Sequence, residues 1–144
     1  MSKPRVLLVD DEERFRATLQ KMLAAQGLPV TALGSGQAAL AELKSAPYDV
    51  VLLDLRMPEM DGITALREIK KIAPDPEVII LTGHASMDAA LEIIKLGGYD
   101  YLLKPCPLEE LLLKIEAAYE KKVAREKTTA PGARPADSAA EPHT

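Results

Sequence analysis

Three aspartates, a threonine and a lysine occupy one kind of place along this chain, immediately after a short apolar run. Asp10 and Asp11 follow residues 6–9, Asp54 follows 50–53, Thr82 follows 78–81 and Lys104 follows 101–103. If those runs are strands of one parallel sheet, the five residues meet in the crevice at the strands' carboxyl ends, where open α/β sheets place their ligands. Three carboxylates gathered there repel, a pair about 4 Å apart costing roughly 4 kcal/mol at an effective dielectric of about 20. Lys104 offers one offsetting charge, and a hard divalent cation such as Mg2+ offers another, since it takes carboxylate, water and phosphate oxygens. A carboxylate, a cation, an ammonium and a hydroxyl are what phosphoryl transfer to an aspartate needs. The carboxylate is the nucleophile, the two positive groups neutralise charge on the transferring group, and the hydroxyl donates a hydrogen bond to it.

The elements that must position these residues are legible in the hydrophobic pattern. Five runs rich in Val, Ile and Leu, at residues 5–9, 29–33, 50–53, 77–81 and 101–103, predict strands. Helical spacing lies between them, as in Phe15, Leu19, Met22 and Leu23, or Ala90, Ile93, Ile94 and Gly97. After Pro107 the stripe Leu108, Leu111, Leu112, Ile115, Ala118 and Tyr119 predicts an amphipathic last helix. Strands alternating with helices imply an α/β fold, a doubly wound parallel sheet covered on both faces, and the near-continuous apolar runs at 50–53 and 78–81 fit such burial. From about Lys121 the periodicity fades, and Pro131, Gly132, Pro135 and Pro142 stand among small polar residues and alanines. One domain over residues 1–122 and a disordered Pro/Ala-rich tail over 123–144 are therefore expected.

A net charge of -4 argues against direct nucleic-acid binding, which favours a basic face. The apolar stretch at residues 6–9 is too short for a secretory or membrane segment. Cys106, alone, forms no intramolecular disulfide, and a cytoplasmic location is the simplest expectation.

Each residue also has a plainer reading. Asp10 and Asp11 can cap a helix; Asp54, with Met57-Pro58 and Asp61-Gly62 after it, can end a strand before a turn. Thr82-Gly83 can be a turn, Lys104 a solvated surface residue and Tyr101 a packing aromatic. His84 receives no catalytic role, and Cys106 packs or sits idle. Joint placement, rather than any one residue, carries the functional reading.

Four motifs together resemble the receiver domain of two-component response regulators: Val-Asp-Asp-Glu at 9–12, Leu-Leu-Asp-Leu-Arg-Met-Pro-Glu-Met-Asp-Gly at 52–62, Leu-Thr-Gly-His at 81–84 and Tyr-Leu-Leu-Lys-Pro at 101–105. The resemblance covers residues 3–122 and implies the flavodoxin-like (βα)5 strand order 2-1-3-4-5. It also implies that Asp54 is the phosphoacceptor for a sensor histidine kinase or phosphotransfer protein. Asp11, Asp54 and the backbone carbonyl of Arg56 would bind Mg2+, with Asp10 acting largely through a bound water. Lys104 would contact the phosphoryl group, the Lys104-Pro105 bond would be cis, and Thr82 and Tyr101 would form the switch pair. The face made by residues 87–96, 99–103 and 108–119 would then engage a downstream protein or a second copy. Two departures stand out: Cys106-Pro107 where an aromatic often follows the Lys-Pro pair, and Gly98 where alanine is frequent. A phosphatase resembling the haloacid-dehalogenase type would carry a second aspartate at the position of Arg56, and a flavin-binding protein would not place acids at 10–12.

Overall fold

The structure, a computed structural model, describes residues 3–83 and 86–129. Five strands alternate with five helices: β1 (Val6–Val9), α1 (Glu13–Ala25), β2 (Val30–Leu33), α2 (Gly36–Ser45), β3 (Val50–Asp54), α3 (Gly62–Ile72), β4 (Glu77–Thr82), α4 (Met87–Lys95), β5 (Asp100–Leu103) and α5 (Leu108–Thr129). All pairings are parallel, in the order β2-β1-β3-β4-β5. This is the flavodoxin-like doubly wound sheet that the motifs implied.

The period of two along each strand explains the two cores. Leu7, Val9, Val51, Leu53, Val78 and Ile80 turn to one face, where Leu43, Leu66, Ile69 and Ile93 of α2, α3 and α4 cover them. Val6, Leu8, Val50, Leu52, Ile79 and Leu81 turn to the other, against Leu19 and Leu23 of α1 and Leu111, Ile115 and Ala118 of α5. The central strands are therefore apolar at almost every position, and β2 and β5, at the edges, are only partly buried.

Not every apolar residue at helical spacing faces a core. Met22 and Ile94 are exposed, at 38% and 52%, and α4 buries only Ile93 fully. Gly98, where the resemblance suggested alanine, packs so tightly that a Cβ would lie 2.6 Å from Ile93 Cγ2 and 2.9 Å from Ile93 O. The missing methyl is what lets α4 close onto β5.

The boundary expected at Lys122 falls inside α5, which runs on to Thr129. Its extension is anchored by charge rather than by an apolar stripe, so hydrophobic periodicity does not reveal it. Glu77, buried at the start of β4, pairs with Arg125, whose Nη2 also donates to the Asp75 carbonyl at 2.6 Å. Lys122, one turn earlier, reaches Asp49 at 3.1 Å and pairs with Glu126. Arg125→Ala is expected to cost about 2 kcal/mol in urea unfolding, because it strips a buried carboxylate of its partner. Adding Glu77→Gln should recover more than half of that loss. A cost below about 0.5 kcal/mol, ordinary for a surface change, would show that the pair does not anchor the helix.

Candidate functional site

Register brings the polar residues together. Val9 lies opposite Leu53, so Asp10 and Asp54 emerge side by side from β1 and β3. Asp54 lies opposite Leu81, which puts Thr82 one step beyond on β4, and Thr82 lies opposite Leu103 of β5. The next residue, Lys104, is tied back by its backbone N–H to the Thr82 carbonyl at 2.8 Å, and its bond to Pro105 is cis, as the motif implied.

The turn after Asp54 is built to bring α3 close. The Gly62 N–H donates to Leu55 O at 2.8 Å, and a Cβ at Gly62 would lie 2.5 Å from Asp54 O and 2.6 Å from Leu55 Cα. Only glycine permits that approach. Asp61 caps α3 through the Thr64 N–H at 2.8 Å. The Asp61-Gly62 pair thus does ordinary turn chemistry and, by doing so, packs α3 against the backbone of Asp54.

Asp10 is fully buried, with both oxygens engaged: Oδ1 accepts the Glu12 N–H at 2.9 Å and Oδ2 accepts Lys104 Nζ at 2.7 Å. Its carbonyl accepts from Arg16 Nη1 at 2.7 Å. It does not cap α1, whose N-cap residue is Glu12. Lys104 is no solvated surface lysine either; its side chain is 17% exposed, its ammonium is 3.5 Å from Asp54 Oδ1, and it lies 4.1 Å from the centroid of the Phe15 ring. Asp11 is exposed at the rim, yet carboxylate oxygens of Asp10, Asp11 and Asp54 all fall within 4.8 Å of one another. An open cleft of about 550 Å³, lined by Asp11, Arg56, Met57, Pro58, Asp61 and Ala89 among others, leads to them.

Burial raises the Asp54 pKa, and the charge of Asp10 raises it further, against the pull of Lys104 and of the Arg56 N–H. Burial lowers the Lys104 pKa, but the hydrogen bond and charge of Asp10, with those of Asp54, outweigh it and leave it raised. Among the described residues, Lys104 touches two of the three carboxylates, Asp10 and Asp54. An all-oxygen, net-negative donor set of this kind suits a hard divalent cation.

The response regulator receiver domain family matches residues 6–116 of the chain. The chain belongs to that family. Similar proteins include the DNA-binding transcriptional regulator NtrC of Salmonella typhimurium, 41% identical over 118 residues, 82% of this chain and 25% of that one. The regulatory protein AtoC of Escherichia coli is 40% identical over 116 residues, 81% and 25% of the two chains. This receiver domain thus spans about a quarter of the curated relatives it matches. Among solved structures, the solution structure of the beryllofluoride-activated NtrC4 receiver domain dimer is 38% identical, with a TM-score of 0.77 over 82% of this chain and 98% of that one. The CheY-like receiver domain protein of Methanospirillum hungatei is 26% identical, with a TM-score of 0.82 over 86% and 99%.

Within the receiver fold, Thr82 is buried and shares a sheet face with Tyr101, since Tyr101 pairs with Ile80, two residues before Thr82. Tyr101 is half-buried against the α3–α4 side of the core. His84 lies outside the described residues. Cys106 is partly buried, and burial first, then Glu110, raises its thiol pKa, which fits an unreactive residue. Sequence reasoning missed Arg16 on the Asp10 carbonyl and took Phe15 for core alone; neither contact has a local signature.

Since the Asp54 pKa is raised above an unfolded value of about 3.9, the fold holds that proton more tightly than the unfolded chain and loses stability as pH rises through the folded pKa. Metal-free Asp54→Asn is therefore expected to melt roughly 3 °C above the wild type at neutral pH. The gain should vanish below about pH 4, where both forms are neutral. An unchanged or lower midpoint at neutral pH would mean that Lys104 already compensates Asp54 in full.

Proposed function

We propose that this receiver domain accepts a phosphoryl group on Asp54 from the phosphohistidine of a sensor histidine kinase or phosphotransfer protein, and thereby switches binding of a downstream protein or a second copy. The observation that carries the reading is the trio of carboxylates within 4.8 Å beside a lysine held 2.7 Å from Asp10 and 3.5 Å from Asp54. Asp10, Asp11, Asp54 and the Arg56 carbonyl would hold Mg2+, which when bound neutralises phosphate oxygens. An Asp54 oxygen forms the new bond to phosphorus as the bond to the donor imidazole breaks. Lys104 offsets the charge that gathers on the equatorial oxygens, and Thr82 donates a hydrogen bond to one of them.

The phosphoryl group carries about -1.5 to -2 of charge in place of the single charge of the carboxylate. Movement of Thr82 toward it opens space on the face it shares with Tyr101, and the tyrosine turns inward. An exposed apolar strip supports the readout on this side: Met87, Leu91 and Ile94 of α4 are 75%, 54% and 52% exposed, with Leu103 of β5 and Leu113 of α5 nearby in the fold order. Patches of this kind mark interaction sites. The beryllofluoride-activated relative is a dimer. A cytoplasmic location is part of the same reading, and whether the downstream output acts on nucleic acid belongs to that partner or to further chain.

Acetyl phosphate should label the wild type only with Mg2+, and Asp54→Asn should carry no label. Labelling that survives excess chelator, or persists in Asp54→Asn, would overturn the assignment. On the output side, Leu91→Asp with Ile94→Asp should leave labelling intact and abolish phosphorylation-dependent association in sedimentation velocity. Association retained in that variant would move the readout to another face.

A further inference from the structure

The ring of Phe15 does more than fill the α1 side of the core. It stands in the first turn of α1, four residues after Asp11, and its centroid is 4.1 Å from Lys104 Nζ, well inside cation–π range. An ammonium has three N–H donors. Asp10 Oδ2, at 2.7 Å, takes one, and Asp54 Oδ1, at 3.5 Å, lies beyond a normal hydrogen bond. The ring holds the cation from a third side without occupying any oxygen of Asp54. A lysine stem is long and free to turn, and an ammonium with only water on that side would spend part of its time outside the crevice. A ring face attracts the charge yet imposes little direction on it, so the ammonium stays over the crevice and remains free to turn toward an incoming oxyanion.

We propose that Phe15 is a positioning residue for Lys104, its ring face holding the ammonium where the phosphoryl oxygens arrive on Asp54. The inference rests on the phosphoryl-acceptor reading above. Phe15 also packs, half-buried, against the core side that holds Leu19, so a loss of activity on truncation alone would not separate the two roles.

Phe15 is the only phenylalanine in the chain, and the separation is therefore clean. Biosynthetic replacement with mono-, di- and trifluorinated phenylalanine alters this ring alone, withdrawing electron density from its face while nearly preserving its shape. The readout is the affinity of the full chain for beryllofluoride in saturating Mg2+, beside the affinity for Mg2+ by itself and the thermal midpoint. Beryllofluoride affinity should fall stepwise with fluorine number, by about three- to tenfold across the series, the range a partly desolvated cation–π contact supports. Mg2+ affinity should not fall, and the midpoint should hold. Phe15→Tyr should stay near wild type, whereas Phe15→Leu, which keeps the packing and removes the ring, should match the trifluorinated protein. Tight beryllofluoride binding that is flat across the series, or full binding by Phe15→Leu, would overturn the role of the ring and leave the acceptor reading intact. A wild type that neither binds beryllofluoride nor labels on Asp54 would overturn both.

Discussion

Two buried carboxylates, Asp10 and Asp54, share one ammonium, and the top of this fold is organised around that imbalance. Asp10 takes the short contact with Lys104, and Asp54 is left at 3.5 Å, desolvated and with a raised pKa. A charge cluster that is underpaired in this way is costly to the fold and attractive to cations. The acid residues cannot be moved apart, because strand register places them side by side, nor can they relax into solvent, because Gly62 draws α3 against the Asp54 backbone. The strain is held by parts of the molecule that are themselves well packed.

The opposite end of the strands shows the contrast. Glu77 is as deeply buried as Asp54, yet it pairs directly with Arg125 from the end of α5. Asp49, beside it, is met by Lys122 on Oδ1 and accepts the Arg5 N–H on Oδ2 at 2.8 Å. At the amino ends of β3 and β4 each acid has a cation in direct contact, whereas at the carboxyl ends, among the described residues, Asp10 and Asp54 share Lys104. Incomplete matching at one end only is what a binding site looks like when the rest of a structure is internally consistent.

On the proposed reading, a short run of contacts links the site to the outside. Lys104 is bonded through its backbone to Thr82, and Thr82 and Tyr101 share a sheet face beneath α4. α4 is the least buried of the helices, with Ile93 its one fully buried residue, and the apolar residues it leaves in water are those a partner would cover. A weakly held element next to the charge cluster is easier to shift than α3 or α5, whose buried faces are larger.

The sequence by itself determined the layered α/β architecture, because period-two and period-3.6 patterns must bury their apolar faces in a doubly wound sheet. It also placed Asp10, Asp11, Asp54, Thr82 and Lys104 at strand ends, since residue order and strand length settle that much. The strand order came from motif resemblance, as periodicity does not say which strands pair. Tertiary structure alone decided the rest: that Lys104 leans to Asp10 more than Asp54, that Phe15 covers it, that Arg16 holds the Asp10 carbonyl, and that α5 outlasts its apolar stripe through Arg125 and Glu77. Each of these is a polar or ring contact between residues of different segments. Local pattern records how a segment meets water, whereas such contacts depend on distances that exist only after the segments have packed.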